Sequence, residues 1–220
     1  KENQFIVQYC VALLKFNNTS VPDHYVIASY GIRDWLEFGV TGRVWDLNDR
    51  AHNNTPSGAG HFARVRLLKE ENLTPEFSVG AISVQGDPIV RKDTLFAAVS
   101  KGLGLRGKNL PLDVRLHAGV RQFWLGSGDK PTRTWFNMTP DAGGSGINDH
   151  VAYFGGEMAL PKNLYIVSEV STMPEGAFKT PYSVGAQLRS PDGYGLSLAA
   201  IQTGNQVNPG IMIGVGINFN

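Results

Sequence analysis

The last ten residues, Ile211–Asn220, read IMIGVGINFN. Ile211, Ile213, Val215, Ile217 and Phe219 fall on alternate positions, with Met212, Gly214, Gly216 and Asn218 between them. Strict period two marks a strand with one apolar face. The same alternation recurs upstream. Leu196, Leu198 and Ala200 alternate with Gly195, Ser197 and Ala199, and Tyr182, Val184, Ala186 and Leu188 with Ser183, Gly185, Gln187 and Arg189. Leu164, Ile166 and Val170 alternate with Tyr165, Glu169 and Ser171, and Val114, Leu116, Ala118 and Val120 with Arg115, His117, Gly119 and Arg121. Ala63, Val65 and Leu67 alternate with Arg64 and Arg66, and Leu36, Phe38 and Val40 with Glu37, Gly39 and Thr41. Less regular strand-like segments lie near Phe5–Phe16, Tyr25–Tyr30, Phe77–Gln85, Thr94–Lys101 and Val151–Leu160. These segments predict about twelve strands in one all-β domain spanning the whole chain, and no segment sustains a helical period.

A soluble sandwich also alternates apolar and polar residues. Two features favour a transmembrane antiparallel meander barrel. The polar faces carry arginine and glutamate interleaved with glycine, where a solvated sheet more often shows lysine and threonine. The connections also alternate in length. Gly31–Asp34, Pro161–Asn163 and Ser190–Gly193 (SPDG, a turn signal) are short. Met173–Pro181 is of medium length, and Asn48–Gly60 and Leu125–His150 are long. Long loops on one rim and short turns on the other are the habit of outer-membrane barrels. An even strand count puts both chain ends on the short-turn rim. Glu70–Glu76 and Arg106–Pro111, which should be tight turns, are longer. Tyr25, Trp35, Tyr182, Tyr194 and Phe219 are expected on outward faces near strand ends, as an interfacial girdle. The terminal Phe219 fits the C-terminal aromatic signal of such barrels, with Asn220 a departure from it.

Composition agrees with a sheet that carries little charge. Charged residues are 18% and glycine is 26 of 220, against about 25% charged residues in ordinary soluble domains. A net charge of +1 gives no electrostatic reason to expect a nucleic-acid partner. Cys10 stands alone, so no internal disulfide or cysteine-based metal site forms. Apolar runs fall far short of the ~20 residues of a membrane helix. No signal peptide is visible at Lys1, so an exported chain starting here is the mature form, and a cytoplasmic reading stays open.

Several segments together resemble a known family. Tyr30–Val40 (YGIRDWLEFGV), Ala63–Ala81 (ARVRLLKEENLTPEFSVGA), Thr94–Leu103 (TLFAAVSKGL) and Val114–Val120 (VRLHAGV) are similar to the YjbH-type, exopolysaccharide-associated outer-membrane barrels. So is the tail, from FGGEMALPKNLYIVSEV (154–170) through YSVGAQLRSPDGYGLSLAAI (182–201) to IGVGINF (213–219). The resemblance covers about three quarters of the chain in order, including Glu37, Lys101, His117 and Glu169. It implies a barrel in the bacterial outer membrane linked to cell-envelope polysaccharide, and it brings no catalytic residues.

The faces opposite the apolar ones collect charge: Glu37, Arg43, Arg64, Arg66, Asp113, Arg115, His117, Arg121, Glu157, Glu169 and Arg189. In a narrow lumen such groups must pair across strands or line water. A selective, anion-favouring pore or polysaccharide conduit is one reading; a salt-bridged filling of the lumen is the other. His117 near a serine raises a membrane hydrolase, but no serine sits in G-x-S-x-G. His24, His52, His61 and His150 fall in loops or at strand ends beside Asp23, Asp49 and Asp149. A cation site on the long-loop rim needs ligand spacing that these do not show. The glycine runs 102–107 and 143–146 open no helix and are not phosphate loops. The loop Leu125–His150 holds Trp135, Phe136 and Asp141, candidate contacts for polysaccharide or another envelope protein, although such a loop can also fold inward as a plug. The expected whole is a non-enzymatic outer-membrane barrel, porin-like or envelope-structural, that meets lipid bilayer and lipopolysaccharide and carries no cofactor or metal. A soluble carbohydrate- or ligand-binding sandwich and an outer-membrane hydrolase are the alternatives.

Overall fold

The computed structural model describes residues 3–16, 19–45, 55–87, 92–104, 113–125, 148–174, 177–204, 206 and 208–219. Among them twelve strands form: β1 (Phe5–Phe16), β2 (Thr19–Arg33), β3 (Leu36–Trp45), β4 (Ser57–Leu68), β5 (Glu76–Gly86) and β6 (Lys92–Gly102). They continue with β7 (Asp113–Leu125), β8 (Asn148–Leu160), β9 (Leu164–Ser171), β10 (Tyr182–Arg189), β11 (Tyr194–Gln202) and β12 (Asn208–Phe219). Each strand pairs antiparallel with its neighbours in the chain. The ring closes where β1 meets β12, from Phe5↔Phe219 to Lys15↔Asn208. The fold is therefore a closed antiparallel barrel, which leaves no strand edge unpaired.

The distribution of apolar side chains is inverted relative to a soluble core. Val40, Leu196, Leu198 and Val120 are 52–56% exposed on the outer wall, and Phe38, Leu67, Val170, Val184, Ile211, Ile213 and Val215 are exposed there too. Buried apolar residues among those described are few: Ala12, Leu14, Val21, Trp45, Val84, Val151 and Ala199. In water a continuous apolar outer wall of this kind would be an aggregation surface; in a bilayer it is the required one.

The connections divide by rim as antiparallel parity requires. Residues 34–35, 69–75, 103–112, 161–163 and 190–193 join strands at one end, and 46–56, 87–91, 126–147, 172–181 and 203–207 at the other. The expected inequality holds only in part: residues 17–18, 87–91 and 203–207 are short connections at the long-loop end, and 69–75 and 103–112 are longer ones at the other. β2 also runs beyond its expected limits at both ends. Gly31 and Arg33 belong to the strand, and the turn is confined to Asp34–Trp35. At the SPDG turn the Gly193 N–H donates to the Ser190 carbonyl at 3.1 Å. Gly193 has φ +91°, and a Cβ there would stand 2.2 Å from the Asn218 carbonyl oxygen, so only glycine fits.

Of the expected girdle aromatics, Trp35, Tyr194 and Phe219 are exposed at the short-turn end; Tyr30 and Phe5 join them there, and Phe5 stacks on Phe219 across the closing seam. Tyr182 shares the outward face of Val184 and Leu188. Tyr25 corrects the expectation. Its ring lies inside, in phase with Asp23, because β2 begins at Thr19 and Tyr25 alternates with the exposed Val26.

Candidate functional site: a two-walled lumen

The inward face of each strand is fixed by the outward face just described, since side chains alternate across a sheet. On β3 to β10 the inward positions carry the charge. Glu37 on β3 meets Arg64 on β4 at 3.2 Å. Arg66 bonds Asp34 at 3.0 Å and lies 3.9 Å from Glu76. Arg115 reaches Glu70 at 2.9 Å and Glu76 at 3.5 Å, and Lys101 also meets Glu70, at 3.4 Å. Asp113 heads the inward row of β7, opposite Ala159 on β8. His117, on the same row, shares a 2.8 Å hydrogen bond between its Nδ1 and the Ser100 hydroxyl.

Two of the pairs repeat one local design. Arg121 on β7 bonds both oxygens of Glu169 on β9 (2.9 and 3.1 Å), and its guanidinium lies 3.8 Å over the ring of Tyr153 on the strand between. Arg189 on β10 bonds Glu157 on β8 at 2.5 Å and lies 4.1 Å over Tyr165 on the intervening β9. In each case an arginine crosses one tyrosine to reach a carboxylate two strands away. The planar fork suits the stacking in both and the bidentate bond of Arg121 to Glu169, which lysine would not supply.

The long-loop end is filled. Arg43 bonds both oxygens of Asp23 at 3.0 and 2.9 Å. Tyr25 donates its hydroxyl to the same carboxylate at 2.6 Å. The guanidinium lies 5.1 Å from the Tyr25 ring centre and 4.8 Å from that of Trp45. Trp45 (1% exposed) packs with Ala12 and Leu14, and Ile201 and Met212 lean on the cluster. The β11–β12 connection adds to this: Gln206 Oε1 accepts from the Thr203 N–H at 3.0 Å, and the Gly204 carbonyl accepts the N–H groups of Phe178 and Lys179.

The short-turn half is open. A cavity of about 400 Å³ lies against β10, β11, β12 and β1, and a second of about 290 Å³ lies against β1 to β4, with Ile6 common to both. The lumen thus has a charged wall and, across from it, a wall of glycine, serine and amides.

Several expectations change. His24 and His61 are not in loops. His24 faces outward from β2 and bonds the Tyr9 hydroxyl at 2.7 Å, and His61 on β4 stacks on Phe38. Asp23, adjacent in sequence to His24, points the opposite way into the lumen, so the two do not converge on a cation. Among the described residues no set of His, Cys, Asp and Glu is placed to hold a metal ion. His52, Asp49, Trp135, Phe136 and Asp141 lie outside the described residues. Asp23, Glu70 and Glu76 belong to the charge network without having been expected there. Glu70 and Glu76 bound a predicted turn, and Asp23 precedes the predicted start of β2. A usable signal was present in the equal spacing of Tyr153–Glu157 and Tyr165–Glu169 on inward faces.

Fold, outer wall and polar lumen together define a transmembrane β-barrel of the outer-membrane type. The transport unit of the autotransporter AIDA-I from Escherichia coli has a similar fold, with a TM-score of 0.52 at 10% identity over 100% of this chain and 91% of that one. The translocator domain of the autotransporter NalP from Neisseria meningitidis aligns with a TM-score of 0.48 at 11% identity, covering 97% of this chain and 87% of that one. Salmonella typhi OmpF aligns at 0.37 and 5% identity, covering 98% and 96%. No family model and no curated protein sequence matches the chain.

Proposed function

We propose that this chain is a non-enzymatic barrel of the bacterial outer membrane whose lumen is a blind vestibule: open at the short-turn rim and shut at the long-loop rim. The observation that carries the reading is the packed cluster of Ala12, Leu14 and Trp45 with the Arg43–Asp23 clamp beside it. An arginine held by two bonds to one carboxylate, with two aromatic rings near its guanidinium, resists the rearrangement that passage of a solute demands. In planar bilayers the intact chain is expected to show almost no steady conductance, and the double variant Trp45→Ala, Arg43→Ala is expected to raise it several-fold. Full porin-like conductance from the unaltered chain would overturn the reading.

A non-enzymatic role is supported by the surroundings of Ser100. Its hydroxyl meets His117, but Ser100 pairs with Glu76 on one side and His117 on the other within continuous ladders. The backbone N–H groups there are engaged in the sheet and none is free to stabilise an oxyanion. The link to exopolysaccharide implied by the YjbH-type resemblance gives an envelope-structural role to the same barrel. In that reading the long connections face the cell exterior and lipopolysaccharide surrounds the wall at that rim.

A further inference from the structure

The 400 Å³ cavity at the short-turn end is within the size range of small-ligand sites, roughly 300–1,000 Å³. The structure does not fill it, although it could. A Cβ built on Gly195 would find no atom nearer than 3.8 Å, and the residue has no positive φ. Gly214 and Gly216 extend the same bare floor, at positions where Ser197, Cys10 and Gln8 crowd any Cβ. The floor is therefore flat, and the inward-facing apolar side chains on it are Ile6 and Met212.

Its polar lining is uncharged apart from Arg189. Gln8, Gln187, Ser197 and Asn218 line the space. The Oδ1 of Asn218 is buried with no hydrogen-bond partner and needs a donor. The Oε1 of Gln187 accepts from Arg189 at 3.2 and 2.7 Å, so its NH2 group is the part that faces a ligand as donor. Ser197 both donates and accepts. The charged side chain in the lining, Arg189, is bound to Glu157 and stacked on Tyr165. An anionic ligand would meet a guanidinium already neutralised, and a cationic one would meet no carboxylate on this wall.

A flat apolar floor edged by neutral donors and acceptors matches a ring with an apolar face and hydroxyls around its rim. We propose that the wall of β10, β11, β12 and β1 binds a neutral saccharide unit in the vestibule. The proposal rests on the blind-vestibule reading only for the route of entry. Binding is measured separately from conductance, so either can fail alone.

Cys10 is the chain's single cysteine and lines this wall, so it reports occupancy without engineering. The folded full-length chain in detergent micelles is treated with N-ethylmaleimide, alone and with millimolar maltotriose, cellotriose or trigalacturonate. At least one neutral trisaccharide should slow modification three-fold or more, and the acidic one should not. Gly195→Leu, whose Cβ would meet no atom nearer than 3.8 Å, should keep the circular dichroism of the barrel and lose saturation-transfer NMR contacts to that trisaccharide. The proposal is overturned if Cys10 reacts equally fast with every sugar, or if it does not react at all because the cavity is closed to water. Equal protection by trigalacturonate, or retained binding in a folded Gly195→Leu barrel, overturns it as well.

Discussion

Glu70 lies just beyond the end of β4, at the short-turn rim. Its carboxylate accepts the Gly102 N–H at 2.8 Å, and Arg115 and Lys101 stand at 2.9 and 3.4 Å. The backbone hydrogen bond first, then the two cations, hold its carboxyl below the usual range. A depressed folded value means the unfolded chain takes up the proton first. The stabilisation is therefore whole above the ordinary carboxylate range and is lost as the pH falls through the folded value. Glu70→Gln should leave a barrel whose stability is lower near neutrality and less sensitive to acid, as read from denaturant midpoints across pH. An unchanged acid limb would mean the contact adds nothing. The residue was not legible in advance, because a turn of uncertain length gives no phase, and phase is what assigns a side chain to the lumen.

At the scale of the element, phase is unambiguous wherever alternation runs unbroken. On β10 Val184 faces out and Gln187 in, and on β12 Ile213 faces out. Arginine at Val184 or Ile213 should cost roughly 2–4 kcal/mol near the bilayer midplane. Gln187→Arg, which places its charge in the wet lumen, should cost far less. Folding titrations into lipid vesicles measure both, and equal costs on the two faces would contradict a lipid-facing outer wall. The alternating faces of β3, β4, β7 and β9 to β12 were readable for the same reason. The start of β2 was not: Pro22 and Asp23 read as turn residues, yet both lie in the ladder to β1, opposite Leu13 and Ala12. Tertiary pairing overrode local preference there, which shifted the first lumen position of the strand and hid the Asp23–Arg43 clamp.

For the whole molecule, closure is the controlling fact. The β1–β12 ladder joins residues some two hundred positions apart in the chain, so the last contacts to form are among the most distant in sequence, a slow topology. A chain ended after Gln202 would expose the edges of β1 and β11, which hydrocarbon does not tolerate. It should fail to insert into liposomes, and protease should digest it wholly where the intact barrel leaves a protected core. A protected core from the truncated chain would show that the seam is dispensable. Strand number and rim parity could be counted from the sequence. The contents of the bore could not, since Leu14, Trp45 and Ile201 come from three separate strands, β1, β3 and β11, and no local pattern joins them.

Because every strand has the same two kinds of neighbour, the unit by which this sheet can grow or shrink is the hairpin. Adding or removing one changes the circumference by two strands and leaves both chain ends on their rim. A single added strand would send one end to the opposite side and force a parallel seam. The bore is thus adjustable only in even steps. A ring of ten strands would narrow the bore and a ring of fourteen would widen it. At twelve strands Trp45 and Leu14 pack one end of this lumen while the other stays hollow.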